Sequence, residues 1–253
     1  GKKTEVILVD QSMANLASNN ARQIYNQISG LNIYQNDDAG IQLHIGGRGL
    51  DPNRTSNFNT RQNSYDISAD VLGYPESYYT PPAEAIKEIQ IVRGAASLQY
   101  GTQFGGLINF VLKEPPNKKI DAIIRNTIGS NNQYTNFTSI GGKKNKFSFY
   151  AFYNHKRGDG FRNNSNYKSN NVYVHLKQNL SNKSELSGEV TYMNYLAKQA
   201  GGLSDRMFIN NPMQSNRSRN WFELDWLLYN FKFKHRFNEK TNCLLYTSDA
   251  ADE

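Results

Sequence analysis

From Lys146 to Phe237 apolar and polar residues alternate with a period of two, the spacing of a strand with two different faces. Phe147, Phe149, Ala151 and Tyr153 share one face. Val172, Val174 and Leu176 share another, opposite Tyr173, His175 and Lys177. Leu186, Val190 and Tyr192 repeat the pattern, and Leu227, Tyr229, Phe231 and Phe233 alternate with Leu228, Asn230, Lys232 and Lys234. Six strands are predicted, at about 120–128, 134–142, 146–157, 169–180, 184–197 and 221–237. The joins Lys143–Asn145 and Ser181–Lys183 are tight, whereas Gly158–Lys168 and Lys198–Asn220 are long.

Residues 1–115 have a mixed pattern. Glu5–Val9, Leu31–Tyr34, Ile41–Ile45, Ile89–Val92 and Leu107–Leu112 read as strands. Ser18-Asn19-Asn20 can cap a helix over about Ala21–Ile28, with Gly30 just past its end. Pro81-Pro82 opens a short helix over Ala83–Lys87, and Pro115-Pro116 closes the region. The predicted fold class is therefore a mixed α+β domain followed by antiparallel β strands. Tight joins at one end and long ones at the other are the arrangement of a membrane-spanning β-barrel. A soluble β-fold is the alternative, and it is not expected to sort its loops this way.

Composition sharpens this picture. Mean hydropathy is -0.71 and 38% of residues are hydrophobic, with no apolar run long enough for a transmembrane helix. Barrel strands need no such run. Residues 243–253, CLLYTSDAADE, match the in-frame translation of a transposase sequencing adapter and hold the only cysteine. The alternative is a genuine strand, Leu244–Thr247, with an acidic end. Without this tail Asp+Glu falls from 22 to 19 against 29 Lys+Arg, a net charge of +10 by subtraction. The basic residues are scattered and no nucleic-acid recognition motif accompanies them, so a basic lumen suits the charge and no nucleic acid is expected.

The most specific stretch is Glu88–Lys113, EIQIVRGAASLQYGTQFGGLINFVLK. Together with an opening VILVD, the turn ISGLNI and the block IGGRGLDPNR, it resembles the plug domain of TonB-dependent outer-membrane receptors. The resemblance departs at Tyr65-Asp66-Ile67, where the family often has an Asp-Gly turn. It implies a plug at 1–115, the first wall strands of an incomplete barrel at 116–242, and a tail at 243–253 outside both. It further implies an outer-membrane importer of a ferric chelate, siderophore or dicitrate-like. Its expected partners are outer-membrane lipid and a TonB energy-transducing complex, whose contact box would precede Gly1. A vitamin, sugar or peptide as cargo is the alternative on the same scaffold, and a barrel enzyme is a further rival.

The same resemblance implies a set of site residues. Arg54, Thr55, Tyr74, Tyr78, Tyr79 and Gln103 would bind ligand, Gln103 because YGTQFGG looks like the YGPQSVGG of ferric dicitrate receptors. Arg48 and Arg93 would contact wall carboxylates, with an exposed turn arginine as the alternative for each. Arg157, Arg217 and Arg219 in the long joins are further candidates. No catalytic residue, cofactor or metal site is expected. The four histidines, His44, His155, His175 and His235, are far apart, although His155 and His175 could face each other across neighbouring strands. Asp37-Asp38 before a glycine suits a solvated turn better than a cation site.

One prediction follows from the tail. Sequencing the gene from source DNA is expected to depart from this chain at about Cys243 and to continue as an alternating strand of about 9–11 residues. An uninterrupted CLLYTSDAADE followed by a stop codon would show that the tail is native.

Overall fold

The computed structural model describes residues 3–9, 25, 28–35, 40, 43–47, 49–69, 76–93, 100, 103 and 105–252. Two sheets dominate. The first holds β1 (Lys3–Leu8), β4 (Phe58–Gln62), β5 (Tyr65–Asp66), β6 (Ile86–Arg93) and β7 (Gly106–Leu112) in the order β1-β6-β7-β4-β5. A two-stranded ribbon of β2 (Leu31–Gln35) and β3 (Leu43–Gly47) lies beside it. The core of this domain is Phe58, Tyr65, Ile86, Ile89, Ile91, Ile108 and Phe110, all buried, with Tyr25 meeting Phe110 edge to face. Gly105 and Gly106 let β7 slide between its neighbours. A Cβ on Gly105 would lie 2.5 Å from Asn57 O, and one on Gly106 2.5 Å from Val92 O.

The second sheet is a meander of seven strands in simple sequence order. It comprises β8 (Asp121–Ile128), β9 (Tyr134–Lys144), β10 (Phe147–Gly158), β11 (Tyr167–Asn179), β12 (Ser184–Lys198), β13 (Trp221–Arg236) and β14 (Asn242–Asp252). The first six match the predicted strands to within about two residues at each end. The period of two is fully expressed. Val172, Val174, Leu176, Leu186, Val190 and Leu227 face outward and are exposed. Tyr150, Asn154, Ser169, Asn171, Tyr173, Ser187, Glu189, Thr191 and Asn230 face inward, toward the first sheet, and are buried. Phe147, Phe149, Phe231 and Phe233 lie toward the tight-turn end of the outer face. Toward the other end, the register sets Asn136, His155, Asn170, Asn194 and Asp225 side by side on successive strands. Asn170 joins His155 at 2.8 Å and Asn194 at 2.9 Å. This polar row bounds the apolar band, as an interface between lipid and water would require.

Three local expectations change. The short helix after Pro81-Pro82 is one 3-10 turn, Ala83–Ala85, and β6 begins at Ile86. Ile86, Ile89 and Ile91 are β-branched and pair with β7, so strand pairing outweighs the helical start. His155 and His175 do not meet, because His155 lies opposite Asn170 and faces outward while His175 lies opposite Tyr150 and faces inward. A short helix α1, Asp205–Asn210, forms within the longest connection, capped by the Ser204 side chain. The helix expected over 21–28 lies outside the described residues apart from Tyr25 and Ile28, as do Asp37 and Asp38.

Residues 242–252 pair along β13 as a seventh strand where six were expected. Such pairing uses backbone groups, which any sequence offers to an open edge. Residues 242–247 show no contrast between faces, unlike β9–β13.

The sheet stays open, with β8 and β14 at its two edges. Each unpaired backbone group would cost several kcal/mol in lipid. Residues 1–242 alone are therefore expected not to insert into vesicles as a heat-resistant barrel. A boiled-versus-unboiled gel shift of the purified fragment checks this, and a clear shift would refute it.

Candidate functional site

The first sheet sits against the inward face of the second, and two places at that boundary carry chemistry. One is at the end of the long connections. Residues 53–55 form a 3-10 turn in which Arg54 has φ +49° and Thr55 φ +56°. Arg54 N–H donates to His44 Nδ1 at 2.7 Å, and Arg54 O accepts from Ser77 N–H at 2.8 Å, so the strained backbone is fixed from both sides. The Arg54 side chain remains 45% exposed. Its Nη1 donates to Glu76 Oε2 at 3.0 Å and to the Tyr78 hydroxyl at 3.4 Å, and its guanidinium lies 5.7 Å from the Tyr78 ring centre. Tyr78 donates to Glu76 in a very short hydrogen bond. Burial first, then the neighbouring Glu76 carboxylate, pushes the Tyr78 hydroxyl up to about 12, so it stays protonated and donating. The Tyr78 ring stacks on Phe222 at 5.7 Å and meets Trp226 edge-on at 6.2 Å.

The long connections roof this end. Arg162 donates to Gly201 O at 2.6 Å and to Gln214 O at 2.8 and 3.1 Å. Asn164 donates to Gln199 O at 3.1 Å and to Asn220 O at 3.2 Å. The connections after β10 and β12 are thereby tied together.

The second place is the seat of the first domain on the wall. The turn between β4 and β5 reaches Glu189, which is 3% exposed. Asn63 Nδ2 donates to Glu189 at 2.6 Å, and Gln62 Nε2 donates to Thr191 Oγ1 at 3.0 Å. Glu189 also accepts from the Tyr173 hydroxyl at 3.0 Å and pairs with Lys232 at 3.5 Å. Elsewhere Glu84, 5% exposed, pairs with Arg125 of β8 at 2.8 Å. Burial raises the Glu84 carboxyl and outweighs the lowering effect of Arg125.

The expected site residues separate cleanly. Arg54 and Tyr78 stand together at the roofed end. Thr55 is 2% exposed; its Oγ1 donates to Leu43 O and accepts from Ile45 N–H, both at 3.1 Å, which makes it a brace for β3. Tyr79 is also buried, and its hydroxyl accepts from Asn171 of the wall at 3.4 Å. Gln103 is 9% exposed. Arg93 finds its carboxylate within its own domain, at Glu5 3.3 Å away, and donates to Ser29 O at 2.6 Å. Arg48 and Tyr74 lie outside the described residues. Arg157 lies over the Tyr134 ring at 5.5 Å. Sequence reasoning missed Glu76, Asn63, Glu189, Lys232 and Arg125. Glu189 carried a signal, since it shares parity with Ser187 and Thr191 on an inward face. Among the described residues no group of His, Cys, Asp and Glu could hold a metal ion.

Residues 3–107 match the family model described as the TonB-dependent Receptor Plug Domain. No curated protein matches the chain. Among solved structures, the unliganded ferric citrate transporter FecA superposes with a TM-score of 0.83 at 21% identity, over 99% of this chain and 40% of that one. The ferric enterobactin receptor PfeA of Pseudomonas aeruginosa gives 0.69 at 15% identity, over 99% of this chain and 41% of that one. The siderophore receptor PirA of Acinetobacter baumannii gives 0.70 at 14%, over 98% and 39%. The chain spans about two fifths of the length of these structures.

Thr55 yields a test of its bracing role. Thr55→Val should leave Ile45 N–H and Leu43 O without their partner and destabilise residues 3–112 by about 1–3 kcal/mol, while Thr55→Ser should cost less. Urea unfolding of an intact version checks this, and ligand affinity of the folded protein should not change.

Proposed function

We propose, for a chain whose residues 3–107 form a TonB-dependent receptor plug domain and whose later strands share the fold of such a receptor's wall, that the whole protein imports an anionic ferric chelate across the outer membrane. The plug is part of a receptor and not of an enzyme. One observation carries the choice of cargo: Arg54 stands half exposed at the roofed end, on a backbone fixed from both sides, beside an aromatic platform of Tyr78, Phe222 and Trp226. Both of its side-chain contacts use Nη1. The Nε–Nη2 edge of the fork then suits a carboxylate or other oxyanion of the chelate, held by two parallel hydrogen bonds. Glu76 holds the fork in place, and Tyr78 supplies a flat face with a hydroxyl handle. Gln103, Tyr79 and Tyr74 remain assigned to this end through the resemblance, and Tyr79 would act by bracing the platform.

In this reading the wall spans the outer membrane, with its apolar band in lipid and its long connections outside. A TonB complex would pull on a segment preceding Gly1. The force would enter through β1, which among the described residues is an edge strand of the plug sheet paired with β6. Loss of an edge strand disturbs one ladder and leaves the rest of the sheet paired.

The aromatic platform favours a second cargo class, a vitamin or sugar with a flat apolar face, and the same experiment separates the two. The intact receptor would carry Arg54→Ala or Gln103→Ala, with Arg54→Lys as the charge-keeping control. Arg54→Ala should weaken binding of ferric dicitrate and related anionic chelates about 10- to 100-fold. Arg54→Lys should lose less, and affinity for a neutral vitamin should not move. Unchanged affinity for every ferric chelate tried would remove these residues from the site.

A further inference from the structure

Asn63 tips the β4–β5 hairpin, where both turn residues have positive φ, +46° at Asn63 and +76° at Ser64. Asn tolerates this turn well. Every polar group of the residue is engaged. Its N–H donates to Phe110 O at 2.9 Å, and its Oδ1 accepts from Leu112 N–H at 2.9 Å, both within the plug. The remaining groups meet the wall. Nδ2 donates to Glu189 Oε2 at 2.6 Å and to the Tyr173 hydroxyl at 3.2 Å. The Asn63 carbonyl accepts from Lys232 Nζ at 2.8 Å.

The charges at this contact all belong to the wall. Glu189 finds Lys232 at 3.5 Å, the Tyr173 hydroxyl at 3.0 Å and the Asn230 amide at 3.4 Å, all on the second sheet itself. The plug adds a neutral amide and a carbonyl. Withdrawal of the turn breaks hydrogen bonds but leaves no buried charge without its counter-ion. The contact at Glu84 is opposite in kind. There the carboxylate belongs to the plug and Arg125 to the wall, so withdrawal would separate an ion pair. In the receptor reading the plug shifts during transport, and a contact that holds firmly and parts without stranding charge suits that shift.

We propose that Asn63 is the positioning residue through which the wall seats the plug reversibly. The proposal deepens the receptor reading above and rests on it. Its test is the leak conductance of the intact receptor in planar bilayers without cargo, with heat-dependent gel migration as the check that the barrel has formed. Asn63→Asp keeps the turn and the acceptor for Leu112 N–H but sets a carboxylate against Glu189. It should raise the leak about tenfold. Asn63→Gly keeps the positive φ and removes the amide, and should give a smaller rise. Asn63→Asp combined with Glu189→Gln exchanges amide and carboxylate across the contact and leaves Lys232 a carboxylate partner. It should return the leak to within about twofold of the parent, a coupling that two independent sites would not show. A formed barrel whose leak is unchanged by Asn63→Asp would overturn the proposal. So would a double variant no better than Asn63→Asp alone. An intact protein that forms no heat-resistant barrel would overturn the receptor reading, and the seat with it.

Discussion

A strand in lipid has no partner for its N–H and C=O groups except the strands beside it. The second sheet has the organisation that such a requirement would impose. Its strands run in plain sequence order because each must pair at once with the one before. Register is continuous from β8 to β14, and continuous register carries the alternation of every strand onto the same two surfaces. One surface is apolar and bounded by a polar row; the other, covered by the plug, mixes polar groups with buried residues such as Phe152, Met193 and Trp226. The same demand explains why residues 242–252 pair with β13 whatever their side chains.

The polar groups on the inner surface create their own difficulty. Glu189, Asn230, Thr191 and Asn171 are nearly or fully removed from water, and each needs partners. The wall supplies some of them from neighbouring strands, as Lys232 does for Glu189. The plug supplies others through Gln62, Asn63 and Tyr79. Plug and wall are thus joined by directional hydrogen bonds and by the Glu84–Arg125 ion pair, laid over an apolar cluster that both sides share.

The strands of the wall were legible from period two alone, because each has one face in each environment. The plug was legible mainly by resemblance. Its strands are short and its turns depend on contacts distant in sequence, as the start of β6 at Ile86 illustrates. The resemblance implies Thr55 as a ligand residue, yet its Oγ1 is turned into the domain, bonded to Leu43 O and Ile45 N–H. The partner of Arg54 is 22 residues away, at Glu76, and that of Asn63 is 126 away, at Glu189. Neither pairing leaves a local pattern. Parity along β12 could have singled out Glu189 as a charge on a buried face, but not what it would bind.

The clasp made by Arg162 and Asn164 bears on how such a molecule can change. Their side chains read only carbonyl oxygens of the connection after β12, namely those of Gln199, Ala200, Gly201, Gln214, Arg217 and Asn220. Backbone carbonyls are present whatever side chains stand there, so the clasp itself tolerates substitution in that connection, apart from positions such as Ser204, Gly201 and Asn216 that shape it. An insertion or deletion is a different matter, because it shifts the carbonyls out of reach. Variation here would then proceed by substitution at constant length. The two connections could be exchanged for others only as a pair.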